Sequence, residues 1–157
     1  MKYATRHTTT VLLSTLLFCY GGVLANAENV IDDSKNTGYL LVISGTSGSL
    51  DGYTLTLNGV PNVIYFSDRP ARKAGHLSLE KFVESWNKGI DSFKEDPPNA
   101  TLSILEKDEA KNVVVELYSV ENKNGSLHFK VVDLEGNITG SFEASSLFID
   151  THYGVGY

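Results

Sequence analysis

Tyr53-Thr54-Leu55-Thr56-Leu57-Asn58 alternates apolar and polar residues with a period of two, the pattern of a strand with one buried face. Tyr53, Leu55 and Leu57 fall on the expected inner side. Runs of similar length recur down the chain. Residues 39–44 form a continuous apolar run with β-branched members, consistent with a buried strand. Gly/Ser-rich residues 45–52 read as a loop. Residues 63–67 follow Gly59-Val60-Pro61-Asn62 and read as the return strand of a hairpin with residues 53–58. Further strands are expected at 100–105, 112–120, 126–134 and 144–150. Asn124-Gly125 between two of them is the strongest hairpin signal in the chain. On 126–134, Leu127, Phe129 and Val131 face inward, and His128, Lys130 and Val132 outward.

One segment has the helical period instead. Leu79, Phe82, Val83, Trp86 and Ile90 form a single apolar stripe, with Ser78 as N-cap and Glu80 in the first turn. Pro97 and Pro98 forbid continuation. The resulting fold class is mainly β: an antiparallel β-sandwich or partly open barrel of about seven strands, with one amphipathic helix inserted between strands 3 and 4. A membrane β-barrel fits less well, because its strands need ~9–11 residues and most runs here have five or six.

The first 27 residues stand apart. Lys2 and Arg6 precede an apolar run from Val11 to Leu24, and Ala25-Asn26-Ala27 has the small-x-small form of a signal-peptidase site. The apolar run falls short of the ~20 residues of a membrane span. The expected organisation is a signal peptide over 1–27, a polar leader over 28–37 and one β-rich domain over 38–157, exported to the periplasm or the extracellular space. The mature chain then has no cysteine and folds without disulfides. The full chain carries a formal charge of -6, from 13 basic and 19 acidic residues; loss of Lys2 and Arg6 leaves 11 against 19, or -8. That balance argues against a nucleic-acid partner and against electrostatic adhesion to anionic lipid. The mature chain has no expected transmembrane segment. Asn99, Asn124 and Asn137 each begin an N-x-S/T triplet, the acceptor pattern for glycans in a eukaryotic secretory pathway.

Six segments stand out together: YTLTLNGV, IYFSDRPARKAGH, FVESWNKGIDSF, DPPNATLSIL, VVVELYSV and SSLFID. In this order, over roughly residues 53–150, they resemble a family of small uncharacterised exported proteins, mostly bacterial and archaeal. YFSDRPxRxxGH and SLFID are its most specific stretches. The resemblance implies a compact secreted or envelope-associated domain and implies no activity.

Asp68, Arg69, Arg72 and His76 crowd the end of the 63–67 strand. As a ligand site, the two arginines can clamp a carboxylate or phosphate, and His76 can act as a general base. As structure, the Ser67 and Asp68 side chains bond backbone amides of a turn and Pro70 fixes the bend. No nucleophile-elbow motif accompanies them. His76, Asp150 and His152 are the candidate metal ligands, with Asp150 and His152 two residues apart on one strand face. They match no compact ligand motif, and the sequence implies no cofactor. Two functions follow: a binding or envelope-associated module for a protein or small-molecule ligand, or a small enzyme or metal-binding protein centred on Asp68, Arg69 and His76.

Overall fold

The computed structural model describes residues 38–88, 93–106, 109–136 and 138–151. The expected signal peptide and leader, together with Ile90, Asn137 and His152, lie outside the described residues. Among the described residues the chain is mainly β, with one helix. Its strands are β1 (Tyr39–Gly45), β2 (Ser47–Asp51), β3 (Thr54–Asn58), β4 (Val63–Ser67) and β5 (Ala74–Leu77). After α1 (Leu79–Trp86) come β6 (Asn99–Leu105), β7 (Ala110–Lys123), β8 (Ser126–Glu135), β9 (Gly140–Phe142) and β10 (Ser145–Thr151). All ten join one antiparallel sheet in the order β5-β4-β1-β10-β6-β7-β8-β3-β2-β9.

Ten strands replace the expected seven because β2, β5 and β9 are short and weakly apolar. The Gly/Ser-rich sequence of β2 reads as a loop, and its only large apolar residue is Leu50. The expected hairpin of 53–58 with 63–67 does not form. β3 pairs with β2 and β8, whereas β4 pairs with β1 and β5, far along the sheet. Asn58-Gly59 opens the connection and Gly59 takes a φ of 63°, but Val60 and Pro61 follow, and Pro61 has no N–H to offer a ladder. The chain therefore crosses over instead of returning. Asn124-Gly125 behaves as expected. Both residues take positive φ (55° and 85°), as a type I′ turn requires, and the Gly125 N–H donates to Asn122 Oδ1 at 3.0 Å.

One face of the sheet is the core. Leu41 and Ile43 of β1, Leu55 and Leu57 of β3, Leu102 and Ile104 of β6, Leu127 and Phe129 of β8, and Leu147 and Ile149 of β10 are buried on it. The inward phase along β7 shifts from Val113, Val115 and Leu117 to Val120, and a register irregularity between Leu117 and Ser119 accounts for the shift. Tyr53 does not join the core: it precedes β3 and is 72% exposed.

β1 and β2 are one run of chain bent at Thr46, and β9 and β10 are another, bent at residues 143–144. The β1–β10 ladder runs from Tyr39 opposite Thr151 to Gly45 opposite Ser145; the β2–β9 ladder resumes at Gly48 opposite Phe142 in the same register. The two runs therefore form one bent ribbon whose halves occupy separate places in the strand order. Thr46 N–H donates to Asn58 O at one bend, and Leu105 N–H to Ala144 O at the other, both at 2.9 Å.

Helix α1 begins as its sequence dictates. Ser78 is extended, and its hydroxyl accepts from Lys81 N at 3.3 Å. The first-turn backbone amide of Glu80, and then the Ser78 hydroxyl, hold the Glu80 carboxyl below the usual carboxylate range. Leu79, Phe82 and Trp86 are buried, and Val83 packs beside them. Phe82 and Trp86 meet Phe129 with ring centroids 6.3 and 6.1 Å apart, and Phe93 meets Trp86 at 4.9 Å. The aromatic cluster so formed joins the helix to β8.

Candidate binding surface

The Ser67–Ala74 connection, where the sequence concentrates its charges, is held by its backbone. Ser67 N–H donates to Lys73 O at 2.8 Å, and Lys73 N–H returns a bond to Ser67 Oγ at 2.6 Å. Arg72 N–H donates to Asp68 O at 3.1 Å, and Asp68 N–H to Gly38 O at 3.2 Å. Ser67 thus bonds the turn through its side chain, as expected. Asp68 contributes its main chain, and no hydrogen bond of its carboxylate occurs among the described residues. The Arg69–Pro70 peptide is cis, and Arg72 has a φ of 49°.

Asp68, Arg69, Arg72, Lys73 and His76 are all exposed, and among the described residues none of them makes an ion pair. Asp68→Ala and Arg69→Ala are therefore expected to shift stability by no more than about 0.5 kcal/mol. Thermal melts check this, and a loss of several degrees would show that these side chains hold the turn.

Register places the remaining candidates. His76 faces Ile64, and Ile64 faces Val42, which faces Phe148. Asp150 faces Leu40, which faces Phe66. Directly opposed residues share a sheet face. Their strand neighbours Val63, Leu41, Ile43, Leu147 and Ile149 point into the core, so both rows lie on the outer face. His76 and Asp150 stand three strands apart, about 14 Å at ~4.8 Å per strand. The structure does not bring these two together, and His152 lies outside the described residues. Among the described residues, no group of three or more His, Cys, Asp and Glu is placed to hold a metal ion. A cavity of about 270 Å³ is lined by Ile104, Leu105, Glu106, Ser141, Phe142 and Glu143. It lies toward the Ser145 end of β10, roughly 20 Å along the strand from the Thr151 end beside the charged loop.

The outer face has two unlike halves. On β2, β3 and the Ser126–Lys130 part of β8 it is polar and bonded to itself, and beyond Lys130 the strand exposes Val132 and Leu134. Thr56 Oγ1 meets His128 Nδ1 at 3.2 Å, Lys130 Nζ donates to Thr54 Oγ1 at 3.0 Å, and Ser126 Oγ donates to Asn58 Oδ1 at 2.8 Å. On β4 and β1 it carries Ile64 and Phe66, and Leu40 and Val42, with Phe148 of β10 beside them; Asp150 and the bonded hydroxyls of Ser44 and Ser146 border this apolar patch. Leu40, Phe66 and Phe148 are 41, 47 and 37% exposed. Sequence reasoning assigned the 39–44 run to a buried strand and did not identify this patch. The signal lay in the contrast between runs that alternate, such as 53–58, and runs that do not, such as 39–43 and 63–66. An unbroken apolar run suits a strand covered on both faces, and here the sheet covers only one.

No family model, curated protein or solved structure matches the chain. Among the described residues, no helix is long and apolar enough to cross a membrane.

Proposed function

We propose that the chain is a secreted or periplasmic binding module of the small exported family its motifs resemble. Its recognition surface is the apolar patch of the outer face on β4 and β1, continued by Phe148 of β10, with the cationic loop beside it. One observation carries this: β1 and β4 carry apolar residues on both faces, and Phe148 of β10 continues their outer side, while the fold buries only the inner one. Exposed apolar patches of this kind mark surfaces that a partner covers. The bent β1–β2/β9–β10 ribbon supports a partly open barrel as the scaffold, because each of its halves pairs at a different place in the strand order. Export rests on the signal-type pattern of residues 1–27.

The test uses the full chain in an exporting host, with the photo-reactive residue benzoylphenylalanine placed at Phe66 or, as a control, at Thr56. Discrete adducts from Phe66 and none from Thr56 are expected, and the exported protein should have the mass of a chain beginning at Glu28. Equal labelling at the two positions, or none at either, would overturn the assignment of the surface.

A further inference from the structure

We propose that the free edge of β5 binds an extended acidic polypeptide segment as an added strand, a partner class that rests on the binding-module reading above. β5 ends the strand order and, among the described residues, pairs only with β4. Its unused hydrogen-bonding groups can be assigned. Ser67 N–H donates to Lys73 O, so the Ser67/Lys73 pair is hydrogen-bonded. Antiparallel pairs alternate, which makes Tyr65/Gly75 and Val63/Leu77 bonded pairs too. Ala74 and His76 therefore turn their N–H and C=O groups away from β4, and both residues are exposed. Sheet edges are commonly blunted by a very short strand, charged side chains, a proline, a bulge or an inward charge, and of these β5 has its four-residue length and the neighbouring Lys73. Residues 74–77 contain no proline or inward charge, and their ladder with β4 has no register shift.

Charge complementarity selects the partner. Arg69, Arg72 and Lys73 lie within five residues beside this edge, with Asp68 the one acid among them, in a chain whose net charge is -6. Three cations without ion pairs favour an acidic segment, and the overall negative charge disfavours a second copy of the chain. Register sets the side-chain requirement. A residue opposite His76 extends the row His76–Ile64–Val42–Phe148, and one opposite Ala74 extends the row Ala74–Phe66–Leu40. Apolar residues two apart would thus prolong the exposed patch, while acids between them reach toward Lys73. Main-chain bonds supply affinity and alternate side chains supply selectivity, as in other strand additions.

The probe is a fluorescent peptide of about eight residues alternating valine and glutamate, with the valine–lysine peptide as control. Fluorescence anisotropy at low salt should show binding of the glutamate peptide at least about tenfold tighter than the control. Ala74→Pro removes an edge N–H not used towards β4 and should weaken binding about five- to tenfold, the effect of one hydrogen bond. Arg69→Gln with Lys73→Gln should weaken it similarly and flatten its salt dependence. In the unmodified protein, exchange of the Ala74 and His76 amides should slow when peptide binds, a measurement that stands even if Ala74→Pro does not fold. Failure of the glutamate peptide to bind, or binding that leaves both amides exchanging at their free rates, would overturn strand addition. A discrete Phe66 adduct alongside either failure would leave the binding-module reading in place and remove only this partner.

Discussion

Phe82→Ala is expected to cost about 3–5 kcal/mol, the range for truncating a fully buried aromatic residue. Phe82 has no exposed surface and stands between Trp86 and Phe129, with ring centroids 5.7 and 6.3 Å away. The size of the effect follows from the helix it serves. An isolated helix of eight residues is unstable in water, so α1 persists through tertiary packing and not through propensity. Removal of the ring leaves a void and also weakens the attachment of Leu79 and Trp86. A calorimetric melt should fall by about 10–20 °C. A loss below about 1 kcal/mol would show that the helix contributes little to the core.

Gly48→Ala is expected to cost about 3 kcal/mol, with Gly75→Ala as the informative comparison. A Cβ at Gly48 would overlap the Phe142 ring and lie 2.5 Å from the carbonyl oxygen of Thr56. That carbonyl belongs to the backbone of β3, which is paired on both sides and cannot yield cheaply. A Cβ at Gly75 would lie 2.6 Å from the hydroxyl of Tyr65, the far end of a side chain on the sheet's outermost hairpin. The overlap includes the Tyr65 ring, which packs edge-on against Tyr39 at 5.9 Å, but a side chain can shift where the paired Thr56 backbone cannot. Denaturant midpoints should therefore fall further for Gly48→Ala than for Gly75→Ala, with unchanged slopes. Equal losses would mean that the Thr56 backbone moves as readily as the Tyr65 ring. Each glycine sits opposite the aromatic residue that covers it, Phe142 and Tyr65 respectively.

The parts of this fold legible in the sequence are those decided locally. Leu127, Phe129 and Val131 alternate because one side of β8 meets the core, and Asn124-Gly125 turns because those two residues tolerate positive φ. Ser78 caps α1 for an equally local reason. Asn124-Gly125 announces the β7–β8 pair, but pairings not closed by such a turn are not legible. Nothing in residues 53–67 indicates that β3 belongs beside β8 and β4 beside β1, since pairing depends on distant strands competing for the same edges. Short strands were missed because β9, with three residues, and β5, with four, carry too few side chains to show a period. The charged stretch 68–76 was conspicuous as composition. Its exposure, and the apolar patch beside it, became visible only once Leu40, Phe66 and Phe148 were placed on one face.

The bent ribbon also bears on when this domain can fold. β1 is the first of the ten strands to be synthesised and β10 the last, yet they pair along their whole length, and Tyr39 and Thr151 exchange hydrogen bonds across 112 residues of sequence. Contacts of such long range close late and slow the search for the native state. Until Ser145–Thr151 has emerged, β1 lacks its β10 partner, and β6 lacks the neighbour that joins it to the first half of the sheet. A nascent chain of this kind stays open through most of its synthesis. The sheet is therefore complete only after its last strand has emerged.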